Sequence, residues 1–407
     1  MLHWRVLRFA STLFAFASLF ALTACGGGRI VPAPVGPPQS PSVAARPLPP
    51  HGPAPSGGGP VKVALLVPLS GANADLGKAM LEAAQLALFT TSSERLTLIP
   101  RDTAGTAEGA ASAAKSAITD GAQLILGPLL AAEVEAVKPV ARDAKVNVIA
   151  FSTATQLAGG NVFLMGFLPQ QEVVREVSFA RDRGLTRFAA LAPNSPYGHL
   201  MTDALREAVS ASGGSVVKVE YLDARAADPT AAIQHLLSLG AAAPPPESAA
   251  FDALLLPEGG TRLKQIAHQL KAGGIDPAQV RLLGSGLWDD PGVAGEPALD
   301  GGWFAASPPE PRREFERRFQ TTYGHPAPRL ASLAFDAAAL AAVLGESGAD
   351  PFSRDAILNP RGFTGVDGLF RFTPKGLVQR GLAVLELEPQ GNVTASPAPQ
   401  TFQDFSY

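Results

Sequence analysis

Cysteine is nearly absent from this 407-residue chain, in which Cys25 is the only one. One thiol excludes an intramolecular disulfide framework and a zinc site built on cysteines. Beyond Cys25 no thiol is present to act as a nucleophile. The fold must therefore be stabilised by its hydrophobic core alone.

An excess of positive charge is also missing. The formal net charge is −3, and about −5 without residues 1–24, which contain Arg5 and Arg8 but no acid. A nucleic-acid-binding surface needs a basic excess, so this function is excluded. The densest basic cluster, residues 312–318, alternates with Glu314 and Glu316 at helical spacing, which predicts a solvated helix face with i,i+4 ion pairs.

Motifs for catalysis, metals and cofactors are absent. The sequence has no P-loop, HExxH, GxSxG or GxGxxG pattern, and Gly284-Ser285-Gly286 lacks the third glycine of a phosphate-binding loop. Five histidines after residue 24 lie far apart, and none has a second histidine or a cysteine at i+3 or i+4: His51, His199, His235, His268 and His325. We therefore predict no catalytic residue, no metal and no cofactor; a hydrolase or transferase is the least favoured function.

The N-terminus contains the chain's clearest targeting pattern. Arg5 and Arg8 precede an apolar stretch at residues 9–22, and Leu22-Thr23-Ala24-Cys25 closes it. The stretch is too short to span a bilayer as a mature helix. It resembles a bacterial lipoprotein signal, which implies that residues 1–24 are removed and Cys25 is lipidated. Residue 26 is Gly and not Asp, so by resemblance to known sorting rules we expect the periplasmic face of the outer membrane.

A segment of unusual composition follows the cysteine. Residues 26–60 contain eleven prolines, eight glycines and no acid. Such a composition cannot form a packed core and is typical of a linker. Residues 25–60 are therefore predicted to be a lipidated cysteine and a tether.

From residue 61 onward short apolar strands alternate with amphipathic helices. This pattern predicts an α/β fold with mostly parallel sheets covered by helices. About 345 residues exceed what one core usually serves, so two lobes are expected. The predicted strands are residues 61–67, 96–100, 123–126, 146–150, 162–165, 187–191, 215–221, 251–256 and 280–283, a strand near Trp303, and a hairpin of residues 368–372 with 382–388.

Four loops rich in small polar residues follow predicted strands. In open α/β sheets, ligands bind in the crevice outside the carboxyl ends of the strands. Serine and threonine at these positions also serve simply as helix caps. The ligand-binding candidates in these loops are Ser70, Ser152, Thr153, Thr155, Tyr197, Trp288 and Asp289.

The chain from residue 61 to about residue 388 resembles the type 1 periplasmic binding proteins of the Leu/Ile/Val-binding kind. The resemblance implies two lobes joined by a three-stranded hinge, with the ligand cleft between them. The residues that carry the resemblance are the opening strand and loop at residues 62–71 with Gly77, Leu126-Gly127-Pro128, Ser152-Thr153-Ala154-Thr155, Tyr197-Gly198 with residues 213–217, and residues 333–337.

At two places the sequence departs from the solute binders of that family. Leu129-Leu130 stands where solute binders place a serine for the ligand carboxylate, and residues 166–172 read Gly-Phe-Leu-Pro-Gln-Gln-Glu. With the Cys25 signal and the tether, this is more similar to the penicillin-binding protein activator lipoproteins. The resemblance implies a non-enzymatic regulator of peptidoglycan synthesis with a penicillin-binding protein as partner. The alternative is a lipid-anchored substrate-binding protein of an ABC importer for an amino acid or other small carboxylate.

The expected domain boundaries follow from the same resemblance. Residues 61–167 and 288–345 are predicted to form lobe 1, and residues 168–287 and 346–390 lobe 2. Residues 391–407 are predicted to be a C-terminal tail.

The anchor can be tested by Cys25→Ser. A hydroxyl cannot replace the thiol in thioether formation, so an unlipidated or poorly processed precursor is expected. Metabolic labelling with a fatty acid and membrane fractionation measure both properties. Wild-type protein found in the soluble periplasm would contradict the predicted anchor.

Overall fold

Two mostly parallel sheets form the frame of the protein. The structure is a computed structural model that describes residues 60–403 except 224–227, 239–249 and 278. The predicted signal, Cys25 and nearly all of the predicted tether lie outside the described residues. In the part that is described, no helix is both long and apolar enough to cross a membrane.

Lobe 1 begins with a strand and alternates strands with helices. Its elements are β1 (Val61–Val67), α1 (Ala74–Thr91), β2 (Leu96–Asp102), α2 (Ala107–Thr119), β3 (Leu124–Leu126), α3 (Ala131–Asp143), β4 (Asn147–Ala150) and β5 (Val162–Leu164). The five strands are all parallel, in the order β2-β1-β3-β4-β5. Because β3, β4 and β5 are almost wholly apolar and buried, both faces of the sheet need helices.

Lobe 2 repeats the alternation. Its first elements are α4 (Pro169–Asp182), β6 (Arg187–Pro193), α5 (Pro196–Ala211), β7 (Ser215–Leu222), α6 (Thr230–Leu237), β8 (Ala253–Leu255), α7 (Gly260–Ala272), β9 (Arg281–Leu283) and β10 (Trp303–Ala306). All five strands are parallel to their neighbours in this part of the sheet.

The chain then returns to lobe 1 and finally to lobe 2. The returning elements are α8 (Pro309–Tyr323), α9 (Ala331–Gly345), α10 (Arg354–Ile357), β11 (Phe363–Gly365), β12 (Gly368–Phe372) and β13 (Val378–Arg380). They pack on lobe 1, where α9 lies against α1 and Phe370 and Phe372 join the core. Two further strands, β14 (Ala383–Glu388) and β15 (Gly391–Ser396), complete the sheet of lobe 2 in the order β15-β14-β10-β9-β8-β6-β7.

The predicted α/β class is confirmed: each lobe has a mostly parallel sheet flanked by helices. The arginine-rich stretch at residues 312–318 is helical as predicted. Arg317 and Arg318 pair with Glu314 at 2.8 and 2.6 Å on the exposed face of α8.

Three details differ from the sequence-based boundaries. The strand at Trp303 belongs to lobe 2 and not to the 288–345 portion of lobe 1, because the Trp303 carbonyl accepts the Gly284 N–H at 2.7 Å beside β9. Residues 346–380 pack on lobe 1 and not lobe 2, because Phe352, Ile357 and the residues of β12 fill its core. The start of the predicted tail, residues 391–396, is a strand paired with β14.

The predicted C-terminal hairpin is also paired differently. β12 pairs with β13, and the turn between them is closed by the Thr373 N–H on the Leu377 carbonyl at 2.8 Å. The segment at 382–388, expected as the second arm, pairs with β10 of lobe 2 instead.

The lobes are joined by three crossings of the chain, at residues 165–168, 307–308 and 381–382. The first turns of α4 hold the first and third crossings together. The Gln171 carboxamide accepts the Arg380 N–H at 2.9 Å and donates to the Val378 carbonyl. Arg175 donates to the Leu382 carbonyl at 3.0 Å. The hinge is therefore a hydrogen-bonded unit.

Glycine at the start of α1 and of α5 lets each helix approach the preceding strand end. A Cβ at Gly77 would lie 1.8 Å from the Pro68 carbonyl oxygen, and one at Gly198 would lie 1.9 Å from that of Pro193. Both helices therefore sit directly on the loops that border the space between the lobes.

We predict that Gly198→Ala destabilises the protein by about 3 kcal/mol, because overpacking against backbone forces a shift of α5. Chemical denaturation measures the loss. Gly292→Ala is the matched control, since an added Cβ there meets only the side chain of Asp290 at 3.3 Å. Equal stability of the two variants would show that α5 moves away without cost.

Candidate functional site

The carboxyl ends of both parallel sheets border a cleft between the lobes, and two recesses meet in it. The lobe 1 recess has a volume of about 490 Å³ and is lined by Asn73, Leu76, Leu129, Leu130, Ala131, Phe151, Ser152, Thr153, Ala154, Phe167 and Leu330. The hinge recess has a volume of about 210 Å³ and is lined by Phe167, Pro169, Glu172, Tyr197, Gly286, Leu287, Asp289, Ala305, Ala306, Ser307, Arg329 and Leu382. Phe167, in the first hinge crossing, belongs to both.

The lobe 1 recess is mostly apolar. Its polar groups come from Asn73 and from the loop that follows β4. Ser152 is buried and its Oγ accepts the Ala154 N–H at 3.2 Å, whereas Thr153 is exposed to the recess. Of the candidates from lobe 1, Ser152 and Thr153 therefore reach the cleft.

Ser70 has a structural role. Its Oγ donates to Asp102 at 2.6 Å, and the same carboxylate accepts the N–H groups of Leu69 and Ala104 at 2.8 Å each. Burial opposes the charge of Asp102, but these hydrogen bonds outweigh it and lower the pKa of Asp102. Ser70 thus ties the loop after β1 to the end of β2 and lines neither recess.

Thr155 does not line a recess either. It starts a short 3-10 helix, Thr155–Leu157, and its carbonyl accepts the Ala158 N–H at 3.2 Å. The two threonines predicted in this loop are therefore separated, with Thr153 in the cleft and Thr155 beyond it.

The prediction for Trp288 is wrong. Its side chain is 0% exposed in the core of lobe 2, where Nε1 donates to the Leu256 carbonyl at 3.2 Å. Ser285 caps a 3-10 turn, Gly286–Trp288, by accepting the Leu287 N–H, and this turn directs the indole inward. No ligand can reach the indole without unfolding the loop.

Asp289 does line the hinge recess, but it is engaged across the cleft. Arg312 of lobe 1 forms a two-nitrogen contact with it, in which Nη2 lies 3.1 Å from Oδ1 and Nη1 contacts Oδ2. Both side chains are only 13% exposed. The pair is an interlobe bridge, which we call the cleft bridge.

Tyr197 is brought into the hinge recess by α5, whose N-terminus is capped by Ser195 accepting the Gly198 N–H at 3.1 Å. Burial raises the pKa of Tyr197 despite its hydrogen bond with the Ser285 side chain. The phenol stays neutral and can exchange hydrogen bonds with a ligand.

Two charged residues of the hinge recess were not predicted. Glu172 lies in the first turn of α4, and its Oε2 accepts the Gly286 N–H at 2.8 Å. Burial raises the pKa of Glu172 to about 7, against the opposing effects of that hydrogen bond and of Arg329. Arg329 stacks on Phe167 with its Cζ 3.9 Å from the ring centre and pairs with the buried Asp367 at 2.9 Å.

One signal for Glu172 was present in the sequence, since it closes the Gly-Phe-Leu-Pro-Gln-Gln-Glu segment at the entry to lobe 2. Arg329 gave none, because it lies in a loop before α9 that follows no strand. Among the described residues no cluster of histidine, cysteine and acidic side chains is suited to a metal ion.

Comparisons with known proteins agree with this architecture. The family profile described as "Periplasmic binding protein" matches residues 60–392. A search of curated protein sequences gives no match.

Solved structures show the same fold at low sequence identity. A protein from Rhodospirillum rubrum, provisionally assigned as a branched-chain amino acid ABC transporter, is 21% identical with a TM-score of 0.73, over 82% of this chain and 99% of its own. A solute-binding protein from R. palustris in complex with benzoate is 20% identical with a TM-score of 0.56, over 84% and 98%. A branched-chain amino acid transporter substrate-binding protein from Streptococcus pneumoniae, in complex with isoleucine, is 19% identical with a TM-score of 0.56, over 83% and 100%.

The profile spans both sheets and all three hinge crossings, and the solved structures have this two-lobed arrangement. The chain therefore belongs to the periplasmic binding protein family, and it shares its fold with these solved substrate-binding proteins.

Proposed function

We propose that the chain is a substrate-binding protein, without catalytic activity, that delivers a small molecule to an ABC importer. The observation that carries this proposal is the pair of recesses that meet at Phe167 between two hinged lobes. Ligand pockets are concave, mostly apolar and supplied with a few polar groups, as these recesses are.

The lining indicates a ligand with an apolar body. Leucines and phenylalanines dominate the lobe 1 recess, and Leu287 in the hinge recess is 47% exposed. An exposed leucine inside a cleft costs free energy until an apolar group covers it. The benzoate and isoleucine bound by two similar proteins are ligands of this size and character.

A role as a docking lipoprotein that regulates a peptidoglycan synthase is the second candidate. It is favoured by Leu129-Leu130 in place of a carboxylate-binding serine and by the use of Asp289 in the cleft bridge. The family supports a periplasmic location, and for either role we propose an outer-membrane anchor through Cys25.

Isothermal titration of residues 60–407 with leucine, isoleucine, benzoate and 4-hydroxybenzoate tests the first candidate. We expect at least one to bind, and Leu130→Asn to weaken it about tenfold, because Leu130 faces the recess and loses about 1.4 kcal/mol of apolar contact. Asn is a favourable N-cap for α3, so the fold should be kept.

Val343→Asn, on an exposed part of α9 far from the cleft, is the matched control and should bind normally. If no ligand binds while the protein binds a purified bifunctional penicillin-binding protein, the docking role replaces the transport role.

The cleft bridge is expected to favour the closed lobes. Arg312→Ala leaves Asp289 partly buried without its partner, so the open form should gain population, by about tenfold for each 1.4 kcal/mol lost. Small-angle scattering should show a larger radius of gyration, and ligand affinity should fall. Arg313→Ala, whose arginine pairs with Glu310 on the exposed side of the same helix, is the control. Identical scattering from both variants would assign the cleft bridge no role in closure.

A further inference from the structure

Beyond its last strand, β15, the chain passes over the hinge once more. We call residues 397–403, which make this passage, the C-terminal strap. The match to the family profile ends at residue 392, so the strap is not part of the matched family pattern. It contacts lobe 2, then the third hinge crossing, and finally lobe 1.

The strap begins in lobe 2. Arg175 of α4 donates to the Ser396 hydroxyl at 2.6 Å, and its Nη2 lies 3.5 Å from the Pro397 carbonyl oxygen. The next residue, Ala398, is buried in the core of lobe 2. Because Arg175 also donates to the Leu382 carbonyl, one guanidinium holds both the start of the strap and the third crossing.

The middle of the strap rests on the hinge itself. A Cβ on Gly381, in the third crossing, would lie 3.0 Å from Cγ of Pro399 and 3.3 Å from its Cδ. The glycine therefore lets the proline ring sit directly on the backbone of the crossing. Pro397 and Pro399 each fix their own φ at about −65°, which makes this part of the strap stiff.

The strap ends on lobe 1, where the Phe402 ring contacts the small sheet of β11 and β12. A Cβ on Gly362, just before β11, would lie 3.0 Å from Cδ2 of Phe402 and closer still to Cε2. Arg371 of β12 lies over the ring with its Cζ 4.2 Å from the ring centre. The guanidinium is held there, because it also donates to the Gln379 side chain at 2.8 Å and to the Pro360 carbonyl at 3.2 Å.

The two ends of the strap are close together in sequence but belong to different lobes. Ala398 moves with lobe 2, whereas Gly362 and Arg371 move with lobe 1. Phe402 is four residues beyond Ala398, and four residues reach at most about 14 Å when fully extended. A rotation that separates the lobes has to straighten this short segment, which pulls Phe402 from Arg371 or Ala398 out of its core.

We propose that the C-terminal strap is a latch on the hinge, in which Phe402 on lobe 1 restrains the opening of the cleft. The strap contacts and the cleft bridge are formed together in this structure, so both hold the same angle between the lobes. The inference goes beyond the proposed function, because it concerns the lobes and holds whatever the ligand is.

Double electron–electron resonance between one spin label on each lobe measures this angle directly. The full chain with Cys25→Ser has no cysteine, so Glu135→Cys in α3 and Thr261→Cys in α7 supply the only two attachment sites. Both positions are exposed, and each lies in the first turns of a helix that starts at the cleft end of its sheet. Opening of the cleft should therefore lengthen the distance between the labels.

Phe402→Ala removes the ring that Arg371 covers. Without ligand we expect longer distances between the lobes, with the ratio of open to closed form raised about fivefold, the change that the ~1 kcal/mol of a cation–π contact produces. Ending the chain at Ala398 keeps the core residue but removes the rest of the strap, so it should shift the distances at least as far. Phe89→Ala, at an 81% exposed phenylalanine of lobe 1, is the matched control and should leave them unchanged.

Wild-type distances in either variant overturn the inference, because the strap then follows the hinge without restraining it. Shorter distances also overturn it, since the strap would then hold the lobes apart. If the shortened chain does not fold, Phe402→Ala alone decides. None of these results affects the proposed substrate-binding role, because the measurement uses no ligand.

Discussion

The hydrogen-bonded start of α4 is the constraint on which the two-lobed arrangement depends. Gln171 uses both ends of its carboxamide on the segment from Val378 to Arg380, and Arg175 holds the Leu382 carbonyl. Arg380 in turn donates to the Met165 carbonyl at 2.8 Å. One helix end therefore fixes the first and third crossings, which are far apart in sequence. These contacts also set the geometry of the hinge recess beside them.

A cluster of buried charged residues lies next to the hinge. Asp336 and Asp367 lie together in lobe 1 with Arg380, and all three are at most 2% exposed. Burial and the neighbouring Asp367 raise the pKa of Asp336 to about 7, while Arg329 and Arg380 hold the pKa of Asp367 low against its own burial. Asp336 accepts the Val366 N–H at 2.7 Å, so the acid positions the turn between β11 and β12. Because Arg329 bridges this cluster to the hinge recess, the charge of the recess and the packing of lobe 1 are coupled.

Local patterns predicted the order of strands and helices well, because alternation and apolar runs depend on neighbouring residues. Assignment to a lobe failed where it depends on contacts remote in sequence: β10 is a short apolar strand that fits either sheet, and only its pairing with β9 and β14 decides. The rule that ligands bind at strand ends placed Ser152, Thr153, Tyr197 and Asp289 at the cleft, but it cannot tell which side chain of a loop turns inward. Glu172 was missed for a related reason, since it follows a hinge crossing and not a strand.

The loop after β9 contains Trp288, which was wrongly predicted to bind a ligand, and also residues that do face the hinge recess. Ser285 and Trp288 point into lobe 2, while Gly286, Leu287 and Asp289 face the hinge recess. A buried indole that donates to the Leu256 carbonyl fixes the turn, and the fixed turn presents the Gly286 N–H to Glu172 and the Asp289 carboxylate to Arg312. Trp288 therefore acts on the cleft without touching it. Two acids meet this loop, and they differ in their partners. Asp289 pairs with Arg312 of the other lobe, whereas Glu172 accepts the Gly286 N–H and has its pKa raised to about 7 by burial.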